Sequence, residues 1–159
     1  MSKHARLESF VAGLAHDPAL AAHPCYQGFF HCFNEGCYYE AHDVLEHLWL
    51  RGGRADPEHA FYKGLIQVAG AFVHLQKQHA RPGHAKDGRR LRPAVRLFAL
   101  ATANLTPYGP RHLDLDVDGV LALCAAQVAA IVAADFARNP WSPEAAPRLA
   151  LEPAGVTPR

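Results

Sequence analysis

No apolar run in this chain of 159 residues approaches the ~20 residues needed to cross a bilayer, and its start, Met1-Ser2-Lys3-His4-Ala5-Arg6-Leu7-Glu8, has no apolar stretch of a secretory signal. A cytoplasmic protein with no membrane partner is the expectation. No C-x-x-C pair occurs among the four cysteines (Cys25, Cys32, Cys37, Cys124), so reduced thiols are expected rather than a disulfide framework. The spacing of Cys32 and Cys37 from neighbouring histidines matches no usual zinc ligand pattern. Charge of one sign is also missing. Sixteen basic and fifteen acidic residues leave a formal +1, which provides no global field toward nucleic acid or a membrane surface. Strict alternation of apolar and polar residues, the mark of a half-buried strand, is absent, and so is any internal repeat.

What is present is helical periodicity, and half of the residues are apolar, enough for one domain to bury a core. The expected fold is all-α: a single-domain bundle of about five helices around a central antiparallel helical hairpin, spanning residues 1–138 and followed by a proline- and alanine-rich tail at 139–159. A first helix is expected over 3–16, with Leu7, Phe10, Val11 and Leu14 on one face, and a short one over 26–34 carrying Phe29, Phe30 and Phe33. Gly36 permits a break before a helix over 37–51. After the turn at 52–57, Asp56 as N-cap and Pro57 at the first helical position open a long helix to residue 79. A helix over 85–104, kinked by Pro93, and a last one over 117–137, capped by Asp116 and burying Val120, Leu121, Cys124, Val128, Ile131 and Val132, complete the bundle. The tail either drapes over the bundle through Trp141 and Leu149 or lacks fixed structure.

The densest chemistry lies in the helix over 37–51. At about 3.6 residues per turn, His42, Glu46 and Trp49 share one stripe, a titratable pair beside a large aromatic ring. They border an apolar arc of Cys37, Tyr38, Ala41, Val44, Leu45, Leu48 and Trp49, while Glu40, Asp43 and His47 form the solvated back face. On the long helix, Phe61, Leu65, Val68, Phe72 and Leu75 make an apolar stripe, and Lys63, Gln67, Gly70 and His74 line another face. Counting outward from the turn sets Glu46 opposite Lys63 and His42 opposite Gln67, with His74 about 10 Å further along the axis. Glu40, His42, Glu46, Trp49, Lys63, Gln67 and His74 are therefore the candidate site.

The run Phe33-Asn34-x-Gly36-x-Tyr38-Tyr39-Glu40-x-His42-Asp43-x-x-Glu46-x-x-Trp49, with Gly64-Leu65-Ile66-Gln67-x-Ala69-x-Ala71-x-x-His74, resembles the prokaryotic domain-of-unknown-function family 309, over about residues 29–105. The family pattern usually has Glu where Asp43 stands, and commonly an Asn-x-x-Gly-like turn where this chain reads Gln78-His79-Ala80-Arg81-Pro82-Gly83. The resemblance implies a small all-helical protein in which Glu40, His42, Glu46, Trp49, Gln67 and His74 form one constellation. It implies no activity.

The leading expectation is an interaction or scaffold domain whose polar residues form a structural network, with no cofactor. The alternative is a small-molecule site or hydrolase-like enzyme, with His42 as general base or acid, Glu46 orienting it and Lys63 or Gln67 holding an anionic or carbonyl group. Its metal variant takes His42, Glu46 and His74 as ligands for zinc or iron, although the paired Glu-x-x-His motifs of di-iron bundles are missing. Nucleic acid is the least expected partner: Lys77, Arg81, Lys86, Arg89, Arg90, Arg92 and Arg96 cluster against Asp87 alone, yet no aromatic residues interleave and a solvated helix face explains them equally. Oligomeric state is open, and a homo-oligomer is compatible with the sequence.

Overall fold

A computed structural model describes residues 20–153. Five α-helices dominate: α1 (Pro24–Asn34), α2 (Tyr38–Gly52), α3 (His59–Ala80), α4 (Leu91–Leu105) and α5 (Val117–Ala133). Each packs mainly on its neighbours in sequence, so the chain is an all-α bundle with the α2–α3 hairpin at its centre. The helix expected over 3–16 lies outside the described residues.

Local chemistry sets the helix ends. His23 caps α1, its Nδ1 accepting from the Cys25 N–H at 3.1 Å, and Pro24 fills the first position, where a missing N–H costs nothing. Gly36 takes φ +73° between α1 and α2, a conformation that disfavours a side chain. The expected N-cap at Asp56 is displaced: its carboxylate accepts from the Glu58 N–H at 2.9 Å, forming a turn through Pro57, and α3 begins at His59. The helix expected from residue 85 starts later as well. His84 Nδ1 accepts from the N–H groups of Lys86 and Asp87, the chain makes a 3-10 turn at Asp87–Arg89, and α4 opens at Leu91. Pro93 therefore falls in the first turn of α4, where its N–H would have had no intrahelical partner, and no kink is needed.

Asp116 caps α5 as expected, accepting from the Gly119 N–H at 2.9 Å. The far end differs. Asp135 and Phe136 adopt left-handed φ of 50° and 59°, the Phe136 N–H returns to the Ile131 carbonyl at 2.9 Å, and the helix stops at Ala133 rather than at 137. Val132, expected in the core, is 54% exposed, while Val120, Cys124 and Ile131 are buried. Two strands of two residues each, β1 (Arg111–His112) and β2 (Leu115–Asp116), form a small antiparallel hairpin before α5. They are too short to leave an alternating pattern in sequence.

The core is apolar and aromatic, and no charged residue among those described is fully buried. The Phe72 ring contacts Phe33 at 5.5 Å, Tyr38 at 5.4 Å and Phe98 at 5.3 Å, joining α1, α2 and α4 through α3. Phe61, Leu65, Val68, Phe72 and Leu75 are all buried, as their stripe predicts. Residues 139–153 lie against the bundle: Trp141 and Leu149 are buried, Trp141 Nε1 donates to the Tyr38 hydroxyl at 3.0 Å, and Asn34 exchanges two hydrogen bonds with the Leu149 backbone at 2.8 and 2.7 Å. The draping course for this part of the tail is the one adopted.

Candidate functional site

The hairpin register counted from the turn is the register observed. Rings meet at Trp49–His59 (5.2 Å) and Tyr38–Phe72 (5.4 Å), and Gln76 Nε2 donates to the Gly36 carbonyl at 2.9 Å. The rotation of α3 about its axis, however, is not the expected one. Its polar strip faces α4 rather than α2. Gln67 Oε1 accepts from Asn104 Nδ2 at 2.7 Å, and His74 Nδ1 accepts from Arg90 Nη1 at 3.0 Å. Lys63 is exposed and makes no ion pair with Glu46 among the described residues. The shell of Lys63 and Gln67 around His42 and Glu46 therefore does not form, and neither does a His42, Glu46, His74 ligand set.

Glycine explains the rotation. Gly64 lies where a Cβ would come within 2.6 Å of Leu105 Cγ, and a Cβ at Gly70 would stand 3.3 Å from Leu97 Cδ1. Without side chains at these two positions α4 approaches closely along the strip, and its own polar groups complete the contacts. The two glycines were the available signal for the partners Asn104 and Arg90, which the sequence reading missed.

Around His74 the contacts extend into a network. Asp87 Oδ1 accepts from Arg90 Nε at 2.8 Å and Nη2 at 2.6 Å, and the Arg90 N–H donates to Gln78 Oε1 at 2.7 Å. With Nδ1 accepting from a guanidinium, His74 is the neutral tautomer protonated at Nε2. Burial lowers its pKa, and the charges of Arg90, Lys77 and Arg96 lower it further. The hydrogen bonds from Arg90 hold the Asp87 carboxyl below its usual range.

On α2 the arrangement is open. His42 Nδ1 donates to Asp43 Oδ1 at 3.1 Å and lies 3.6 Å from Glu46 Oε2, so the nearer partner is Asp43, a residue expected on the solvated back face. The side chains of His42, Asp43 and Glu46 are 34%, 26% and 37% exposed. One donor atom from each lies within 4.8 Å of the others, and among the described residues this is the one His/Asp/Glu/Cys group spaced to hold a metal ion. Trp49 is half-buried one turn further on; its Nε1 has no hydrogen-bond acceptor among the described residues. Glu40 stands apart, near Cys32 and Cys37. Burial first, then Cys37 and Glu40, push the Cys32 thiol up to about 11, which leaves it a poor metal ligand. Cys37, placed on the apolar arc by spacing, is exposed just ahead of α2.

The helical bundle and its glycine-lined α3–α4 contact define a small all-α domain. Residues 26–85, spanning most of α1 through α3, match the model of the family described as Domain of unknown function (DUF309). No curated protein and no solved structure is detectably similar to the chain. No helix among the described residues is long and apolar enough to cross a membrane.

Proposed function

We propose that the domain is an interaction or scaffold module, residing in the cytoplasm, whose polar motif residues fix how its helices pair. The observation that carries this reading is the closed pairing of the α3 strip: Gln67 with Asn104 and His74 with Arg90, all partly buried and all directed within the fold. Buried polar pairs of this kind set register, and removing one partner leaves the other desolvated and unmatched. Denaturant unfolding of Asn104→Ala tests it. A loss of about 1–3 kcal/mol is expected for a structural pair. A neutral or stabilising change would point instead to groups kept for binding at a cost to stability.

The trio on α2 supports a second reading, in which His42, Asp43 and Glu46 bind a divalent cation and the domain acts on a small molecule. An imidazole and two carboxylates suit zinc or ferrous iron, and a bound cation would supply an activated water. Asp43 takes the place that His74 held in the expected ligand set. Because His42 Nδ1 donates to Asp43, a ligand role for that atom requires the tautomer that carries the ring proton on Nε2. Zinc titration of the full chain without a histidine tag distinguishes the readings: one equivalent bound, and lost in both His42→Gln and Glu46→Gln, would favour the cation site.

A further inference from the structure

Seven basic residues and one acid lie between Lys77 and Arg96, a stretch that in sequence is indistinguishable from an ordinary solvated helix face. The fold changes their standing in two ways. First, the single acid is consumed internally. Asp87 accepts two hydrogen bonds from Arg90, whose side chain is only 12% exposed, and its other oxygen faces Arg81 at 3.4 Å. Lys77, Lys86, Arg89 and Arg96 enter no ion pair among the described residues and are all exposed. Second, cations from three separate elements converge at one end of the bundle. Lys77 on α3 and Arg96 on α4 both act on His74, which lies between those helices, while Lys86 and Arg89 belong to the connecting segment beside Asp87. Arg89 and Arg92 line a cleft of about 340 Å³ with Gln78, Leu91, Asp135 and Phe136.

We infer that this end of the bundle is a docking surface for the phosphate backbone of duplex nucleic acid; the inference deepens the interaction reading, on which it rests, by naming the partner. Unpaired cations spread over adjoining elements match a row of phosphates, and such contacts need no particular base sequence. The absence of stacking rings selects the duplex. Phe136, the aromatic ring in the cleft, is covered by the Arg92 guanidinium 4.1 Å from its centroid, so single-stranded bases find no exposed platform there. A membrane surface fits less well, because a helix lying on lipid pairs its cations with a strip of bulky apolar side chains. On α4 the one large exposed apolar side chain is Leu100.

The experiment uses the full chain with labelled random-sequence DNA duplexes, the matching single strands, and vesicles of phosphatidylcholine with phosphatidylserine, at several salt concentrations. Duplex binding is expected to weaken on the order of 10²-fold between roughly 50 and 200 mM salt, the dependence for about four phosphate contacts. A variant with Lys77, Lys86, Arg89 and Arg96 all changed to Gln should lose binding and most of the salt dependence, and should fold normally because these side chains are unpaired. A control with Arg51, Arg54, Lys63 and Arg148 changed to Gln removes the same charge elsewhere and should bind as the wild type does. No duplex binding at the lowest salt, a preference for vesicles or single strands, or equal losses in the two variants would each overturn the inference. None of these results bears on the interaction reading itself, which is read from the stability of Asn104→Ala.

Discussion

On the outer face of α2, His42 lies against Asp43 and Glu46, and between 26% and 37% of each side chain is left to water. On α3, Gln67 and His74 meet Asn104 and Arg90 from a helix that glycine allows to come close. Similar residue types thus have different energetic standing, decided by what packs over them. A half-exposed ion pair gains little, since water competes for both partners. A partly buried pair between two helices contributes more through the penalty of breaking it than through its own strength.

The largest expected difference between the regions is in apolar packing. Phe72→Ala should cost about 3–5 kcal/mol in denaturant unfolding, because its ring touches three other helices. Leu50→Ala, on the exposed side of α2, should stay within about 0.5 kcal/mol. A cost below about 1 kcal/mol at Phe72 would mean that α3 is not the central helix.

Next is the close approach itself. Gly64→Ala should destabilise by roughly 1–3 kcal/mol despite the better helix propensity of alanine, since the new methyl meets the fully buried Leu105 at its branch point. Gly70→Ala meets only the tip of the partly exposed Leu97 side chain and should be near neutral. Equal effects at the two positions would remove the account of why α4 sits where it does.

A smaller effect is expected in acid. Because burial and three neighbouring cations lower the His74 pKa, the unfolded chain binds its proton more readily than the folded one. The stabilisation is thus complete above the unfolded value, near 6.5, and is lost as pH falls through the lower folded value. Stability curves between about pH 7 and 5 should fall more steeply for the wild type than for His74→Gln. Asp87 acts in a separate window: its depressed pKa gives stability that is present above about 3.9 and lost only in stronger acid. A small change is also expected on α2, where Glu46→Gln should cost no more than about 1 kcal/mol.

These contrasts also mark what was legible in the sequence. Helical periodicity carried the all-α architecture, the apolar stripe of α3 and the hairpin register, because burial of one face repeats with every turn. Rotation about the helix axis was not legible, since Lys63, Gln67, Gly70 and His74 form a coherent strip that could meet either neighbour. Gly70 within the strip and Gly64 beside it were the clue to close packing. Asp43 escaped notice because i,i+1 residues seldom face one another, and only the His42 rotamer brings its ring back to that carboxylate. The stop of α5 at Ala133 was invisible because it depends on left-handed Asp135 and Phe136, neither of which carries the usual glycine signal.

The most direct test is a pair of double-mutant cycles in denaturant unfolding, one on Gln67 and Asn104 and one on Glu46 and Lys63, each residue changed to Ala. Contact across α3 and α4 predicts a coupling of about 0.5–3 kcal/mol for the first pair, and additivity within about 0.5 kcal/mol for the second. Strong coupling between Glu46 and Lys63, with none between Gln67 and Asn104, would place the polar strip of α3 against α2 and contradict the account.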